Sequence, residues 1–172
     1  MEKPFNLLFI CTHNRCRSVL AEVIANNQFE GVFRAFTAGS RPAGEIHPLT
    51  LKFLAARGLP TEGLSSQSWD DFANQEFDLV VTVCDSAANE ACPLWMSDAP
   101  RAHWGMPDPS RVTGEEAAVE TAFYNVMDAL ESQLAALKRE LLKYRFGIEP
   151  DEVTSPTSGL LVAFSKQRSI IA

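Results

Sequence analysis

Residues 5–29 read FNLLFI, CTHNRCR and SVLAEVIANNQF in succession, and the order of these three pieces decides the fold. Phe5 to Ile10 is a short, nearly continuous apolar run, the pattern of a strand buried on both faces of a parallel sheet. From Ser18 onward Leu20, Val23 and Ile24 fall at helical spacing, so strand, loop and helix follow without a break.

The same alternation continues outward. Phe33 to Ala38 reads as a second strand ending at Gly39. Pro48 opens a helix in which Leu51 and Leu54 share a face, and Gly58 suits its C-terminal cap. Asp78 to Val83 (DLVVTV) is a third core strand, and Arg101 to Trp104 is a candidate fourth, entering the turn-rich GMPDPS. Thr113 with Glu116 forms a capping box for the last helix, whose stripe of Phe123, Val126, Leu130, Leu134, Leu137, Leu141 and Tyr144 belongs to the core. Strands alternating with helices imply an α/β three-layer sandwich, a four-stranded parallel sheet flanked by helices, with right-handed crossovers. One domain is expected over residues 1–147. The tail over 148–172 has Pro, Ser and Thr followed by GLLVAF, and a docking strand, a short helix and a disordered end all fit it.

The chain has 172 residues, 46% of them hydrophobic, enough for one core. No apolar run approaches the ~20 residues that cross a bilayer, and the start MEKPFNLLFICTH lacks a basic n-region and cleavage site, so a cytoplasmic protein without membrane contact is expected. The net charge of −7 argues against nucleic-acid binding, which rests on clustered Lys and Arg. Charge is unevenly spread: residues 1–60 carry seven Lys or Arg against four acids, and the remainder eight against eighteen. An anion site is therefore expected early in the chain. The four cysteines, Cys11, Cys16, Cys84 and Cys92, form no CxxC, and His13, His47 and His103 form no HxxxH pair, so no metal site is expected. Thiol chemistry and four inert buried thiols are the readings left.

The chemistry concentrates in Cys11-Thr12-His13-Asn14-Arg15-Cys16-Arg17-Ser18. Five residues between Cys11 and Arg17 let the loop curl so that backbone N–H groups converge at a helix N-terminus, forming a nest for a tetrahedral oxyanion. Arg17 would close it with a bidentate fork. The same field is expected to lower the Cys11 pKa and yield a thiolate nucleophile. Ser18 is a hydrogen-bond donor for that thiolate, and Asn14 tolerates the left-handed backbone of a tight loop. The plain alternative makes Cys11 a small hydrophobe at a strand end and Arg17 a solvated residue.

The loop CTHNRCRS before a helix, with the distant Asp108-Pro109, resembles the low-molecular-weight protein tyrosine phosphatase fold. The resemblance implies Cys11 as nucleophile, Arg17 as oxyanion clamp and Asp108 as general acid; read alone, Asp108 before Pro109 is a turn residue. Two further segments, VVTVCDSAANEACP and HWGMPDPS, are similar to those of the thioredoxin-coupled arsenate reductases, a redox branch of that fold.

This second resemblance implies a relay. Cys11 attacks arsenate, Cys84 attacks Cys11 and releases arsenite, Cys92 attacks Cys84, and thioredoxin reduces the Cys84–Cys92 disulfide. The small and polar residues between Asp85 and Ala91 suggest a segment that refolds cheaply. Without the resemblance Cys84 is a core residue and Cys92 a surface thiol. Cys16 either packs under the loop or forms a protective disulfide with Cys11. Some relatives bind potassium, and Asn14 and Glu22 match two of its ligand positions, but Ser65-Ser66-Gln67-Ser68 offers no carboxylate for the third. No cofactor is expected. A monomer is expected, with glutathione and glutaredoxin as the other candidate reductant. Phosphate-ester hydrolysis through a Cys11 phosphocysteine is the competing activity, and an oxyanion- or redox-sensing module the non-catalytic one.

Overall fold

The computed structural model of the chain describes residues 3–85, 87, 96 and 99–146. The expected tail and Cys92 lie outside the described residues. Strand β1 spans Phe5–Ile10, helix α1 Arg17–Gln28, strand β2 Phe33–Ala38 and helix α2 Pro48–Ala56. They are followed by strand β3 at Leu79–Thr82, strand β4 at Arg101–His103 and helix α3 at Glu116–Phe146, with short 3-10 turns at Trp69–Phe72 and Pro109–Arg111. The four strands form one parallel sheet in the order β2-β1-β3-β4. The pairing register sets Ile10 opposite Ala38 on one side and Thr82 on the other. All strand C-termini therefore open at one edge of the sheet, where ligands bind in open α/β folds.

Side chains alternate across a strand, yet Phe5, Leu7, Phe9, Leu8 and Ile10 are all buried, so both faces of β1 are covered, as its continuous apolar run predicts. Phe9 meets Trp104 with ring centroids 5.9 Å apart, and Phe53 of α2 stacks on Phe123 of α3 at 4.8 Å. The stripe on α3 is core: Phe123, Val126, Leu130, Leu134, Leu137 and Leu141 are buried, while Tyr144 emerges at 42% exposure. Helix α2 ends as expected. Gly58 takes φ +73, its N–H bonds Ala55 O, and Leu59 N–H bonds Leu54 O, the paired pattern of a left-handed glycine stop.

One boundary departs from the sequence reading. Helix α3 begins at Glu116, so Thr113 does not cap it. Gly114, at φ +113, breaks the helical path between them, and the Glu116 carboxylate accepts from Lys52 Nζ at 2.7 Å instead.

Candidate active site

Residues 11–16 form a closed loop between β1 and α1, and its carbonyls face outward. Thr12 O accepts from Arg41 N at 2.9 Å, His13 O from Ala43 N at 2.9 Å, and Arg15 O from His47 N at 3.0 Å. Ser66 Oγ adds a bond to His13 O, and Thr50 Oγ1 one to Arg15 O. Across a trans peptide the N–H points opposite to the preceding carbonyl, so the N–H groups of His13, Asn14 and Cys16 turn into the loop. No side chain caps α1, which leaves the helix N-terminus directed at the same space. Inward N–H groups at a helix N-terminus are the arrangement that an oxyanion nest requires.

Asn14 fixes the loop from within. It is fully buried and holds φ 48, the left-handed conformation foreseen for it. Its Nδ2 donates to Ser18 Oγ at 3.0 Å and Thr37 Oγ1 at 2.6 Å, and its Oδ1 accepts from Gln67 N at 2.7 Å. The Ser18 hydroxyl is thus an acceptor for Asn14. The Cys11 thiol has Cys84 and the His13 N–H as hydrogen-bond partners. Gly39 packs beneath the loop: a Cβ there would stand 2.6 Å from Thr12 O and 2.8 Å from Cys11 O.

These contacts also bear on potassium. Asn14 spends both ends of its amide on protein partners, and Gln67 Nε2 donates to Thr37 O at 2.9 Å, placing an N–H donor among these groups. Glu22, on α1, is pushed up to about 7 by burial, which favours its neutral form. A cation needs oxygen lone pairs and negative charge around it, and of the three expected positions Glu22 alone brings a carboxylate.

Arg17 opens α1, and Asp108 precedes the Pro109–Arg111 turn. Arg17 Nη1 donates to Met106 O at 2.9 Å, and its Nη2 lies 3.6 Å from Asp108 Oδ2. Arg17 Nε is buried without a hydrogen-bond partner among the described residues, a costly state for a charged donor that an anion would relieve. Ser110 N and Oγ donate to Asp108 Oδ1 at 3.0 and 2.6 Å. The other oxygen faces Arg17 and, at 3.6 Å, Arg111 Nε.

Cys84 follows β3 and is 3% exposed. Its sulfur hydrogen-bonds Cys11, lies 3.6 Å from Thr12 Oγ1 and accepts from Ala87 N at 3.4 Å. The hydrogen bond from Cys11 is the largest influence on it and, with the N–H groups of Ala87 and Thr12, brings its pKa down to about 5. The Cys11 thiol moves the opposite way. Its hydrogen bond to Cys84 and its burial push it up, against the smaller pull of Arg17 and the His13 N–H. The thiols of Cys11 and Cys84 thus titrate as one coupled pair, in which ionisation of either sulfur disfavours that of the other. Cys16 is buried, hydrogen-bonded to Thr50 and pushed up to about 11, chiefly by burial. It packs under the loop as a poor thiolate former.

Of the residues named from sequence, Cys11 to Ser18, Cys84 and Asp108 gather at the C-terminal edge of the sheet. Arg15 and His13 form the rim, with His13 exposed. Sequence reasoning missed Gln67, Ser110 and the pair formed by Asp85 and His103, whose Oδ1 and Nε2 stand 2.9 Å apart. The adjacency of Asp85 to Cys84 was the available signal for that pair.

A family model for low molecular weight phosphotyrosine protein phosphatase matches residues 6–145. Among curated proteins, the arsenate reductase of Bacillus subtilis (strain 168) is 32% identical over 128 residues, covering 74% of this chain and 91% of that protein. Among solved structures, an arsenate reductase from Archaeoglobus fulgidus DSM 4304 shares 28% identity at a TM-score of 0.62, with 77% of this chain and 98% of that one covered. A thioredoxin-dependent arsenate reductase of Corynebacterium glutamicum has the same fold, with TM-score 0.63, 23% identity and coverage of 84% and 65%.

Proposed function

The chain belongs to the low molecular weight phosphotyrosine protein phosphatase family, and from that premise we propose that it is an enzyme that reduces arsenate to arsenite through a thiol relay. The observation that carries the reading is a second cysteine set against the anion loop beside Cys11, its sulfur 3.6 Å from Thr12 Oγ1. A hydrolase of this fold needs one thiol and then water; a second thiol touching the first is what a reduction needs. The naming of the B. subtilis and A. fulgidus relatives as arsenate reductases supports it.

In the proposed sequence the nest and Arg17 hold the oxyanion. Cys11 attacks arsenic, Asp108 assists one oxygen to leave as water, and the Cys11 proton departs with it. Cys84, as its thiolate, attacks the Cys11 sulfur. The S–S bond forms, the S–As bond breaks, and its electron pair stays on arsenic, which leaves as arsenite. Arsenic acid and two thiols thus become arsenous acid, a disulfide and one water. Cys92 then displaces Cys11 from Cys84, and the dithiol of thioredoxin reduces the Cys84–Cys92 disulfide. We place this activity in the cytoplasm, in a monomer; among the described residues no helix is long and apolar enough to cross a membrane.

The test is arsenate-dependent NADPH consumption with thioredoxin and thioredoxin reductase. Loss of turnover in each of Cys11→Ser, Cys84→Ser and Cys92→Ser supports the relay. The family match supports a second reading, phosphate-monoester hydrolysis through a Cys11 phosphocysteine. It requires Cys84→Ser and Cys92→Ser to retain full hydrolysis of an aryl phosphate while arsenate acts only as an inhibitor.

A further inference from the structure

Asp85, immediately after Cys84, is tied to the end of β4. His103 Nε2 stands 2.9 Å from Asp85 Oδ1, and His103 Nδ1 stands 2.8 Å from Thr82 Oγ1 at the end of β3. A carboxylate only accepts, so Nε2 carries the hydrogen. The Thr82 hydroxyl suits either ring state, giving its proton to Nδ1 or, with Ala102 O 3.4 Å away, turning it to that carbonyl and accepting from Nδ1. Gly105 lies directly against the pair: a Cβ there would come within 2.8 Å of His103 Nε2 and 3.1 Å of Asp85 Oδ1. Beyond Asp85, Ala87 is buried and its N–H bonds Cys84 Sγ. The start of the Asp85 to Ala91 stretch, whose small and polar residues suggest cheap refolding, is thus held by polar contacts at Asp85 and Ala87.

We propose that His103 is a positioning residue: through Asp85 it holds Cys84 against Cys11 and Thr12, and so sets the rate at which the first disulfide forms. This rests on the relay proposed above. The pair is exposed, Asp85 at 88% and His103 at 39% of their side chains, and exposed ion pairs bias an equilibrium only about two- to fivefold. A weak hold suits a thiol that must leave Cys11 once per turnover.

The experiment mixes arsenate with the Cys92→Ser protein, in which the Cys11–Cys84 disulfide accumulates, quenches at intervals with an alkylating agent and maps the product by mass. His103→Ala is expected to slow disulfide formation about fivefold with the arsenate concentration for half-maximal rate unchanged. His103→Gln, which keeps an N–H for Asp85, is expected to restore most of the rate. An unchanged rate in His103→Ala, or equal slowing in both variants, overturns the proposal. If no arsenate-dependent disulfide forms even with His103 intact, the relay itself has failed. The hold is then read from hydrogen exchange at Ala87 N–H, which His103→Ala should speed several-fold and His103→Gln should not; equal exchange in all three proteins overturns it.

Discussion

The Thr12 hydroxyl lies 3.6 Å from the Cys84 sulfur, so the anion loop touches the second thiol through the residue next to its own cysteine. Anion binding and thiol reactivity therefore share one set of contacts. In particular, ionisation of Cys84 is coupled to that of Cys11.

Cys11→Ala removes the main hydrogen bond that brings Cys84 to about 5. The Cys84 pKa should rise towards the ordinary thiol value of about 8.5. Alkylation of Cys84 by iodoacetamide, followed by mass across pH 4 to 10, checks this; a midpoint still near 5 would contradict the coupling of the two thiols.

Arg17→Lys keeps a positive charge but loses the fork and the bond to Met106 O. A point charge on a flexible stem cannot match two oxygens at once, and loss of one preorganised oxyanion donor costs about 10²–10³ in rate. We expect kcat to fall by that order in steady-state arsenate reduction.

Gly39→Ala drives a methyl against the carbonyls of Cys11 and Thr12 and against Asn14 Cβ. Two of these three atoms are backbone and have no room to yield, so the loop must deform. Half-saturating arsenate should rise by about tenfold or more, in line with the sensitivity of such sites to ~1 Å displacements.

Asn14→Ala forfeits three hydrogen bonds, two of them buried, and puts alanine at φ 48. At about 1 kcal/mol per bond, with about 1 kcal/mol more for the left-handed backbone, the loss is about 4 kcal/mol. Urea unfolding monitored by tryptophan fluorescence measures it.

Glu22 is raised by burial from 4.5 to about 7. A carboxyl that binds its proton more tightly when folded stabilises fully below its unfolded pKa, and that contribution is lost as pH rises through the folded value. Between pH 4.5 and 7 the loss is about 3 kcal/mol at most, at 1.36 kcal/mol per unit. Thermal melts at pH 5 and pH 8 should show a larger drop for the parent than for Glu22→Gln.

The β1, loop and α1 unit was readable because each piece carries a local signal: a continuous apolar run, a cysteine and arginine five residues apart, and helical spacing behind them. The positive φ of Asn14 and the Gly58 stop were likewise local. What escaped depends on contacts across the sheet. The coupling of Cys11 to Cys84 joins residues 73 positions apart, and the His103 pair arises from β3 and β4 meeting in register. The 3-10 turn at Pro109–Arg111, with Ser110 fastened to Asp108, has no periodicity to announce it.

The sheet order has one more consequence. β1 and β3 are neighbours, and their ladder runs on past the strands, since Val83 N bonds Ile10 O at 3.0 Å. Adjacent strands stand ~4.8 Å apart, inside the ~4.4–6.8 Å window between the α-carbons of a disulfide. The ladder thus carries Cys11 and Cys84 out on the ends of two adjacent strands. On such a frame, the second thiol of the proposed relay stands two places beyond Thr82, at the end of the strand that pairs with the anion loop's own.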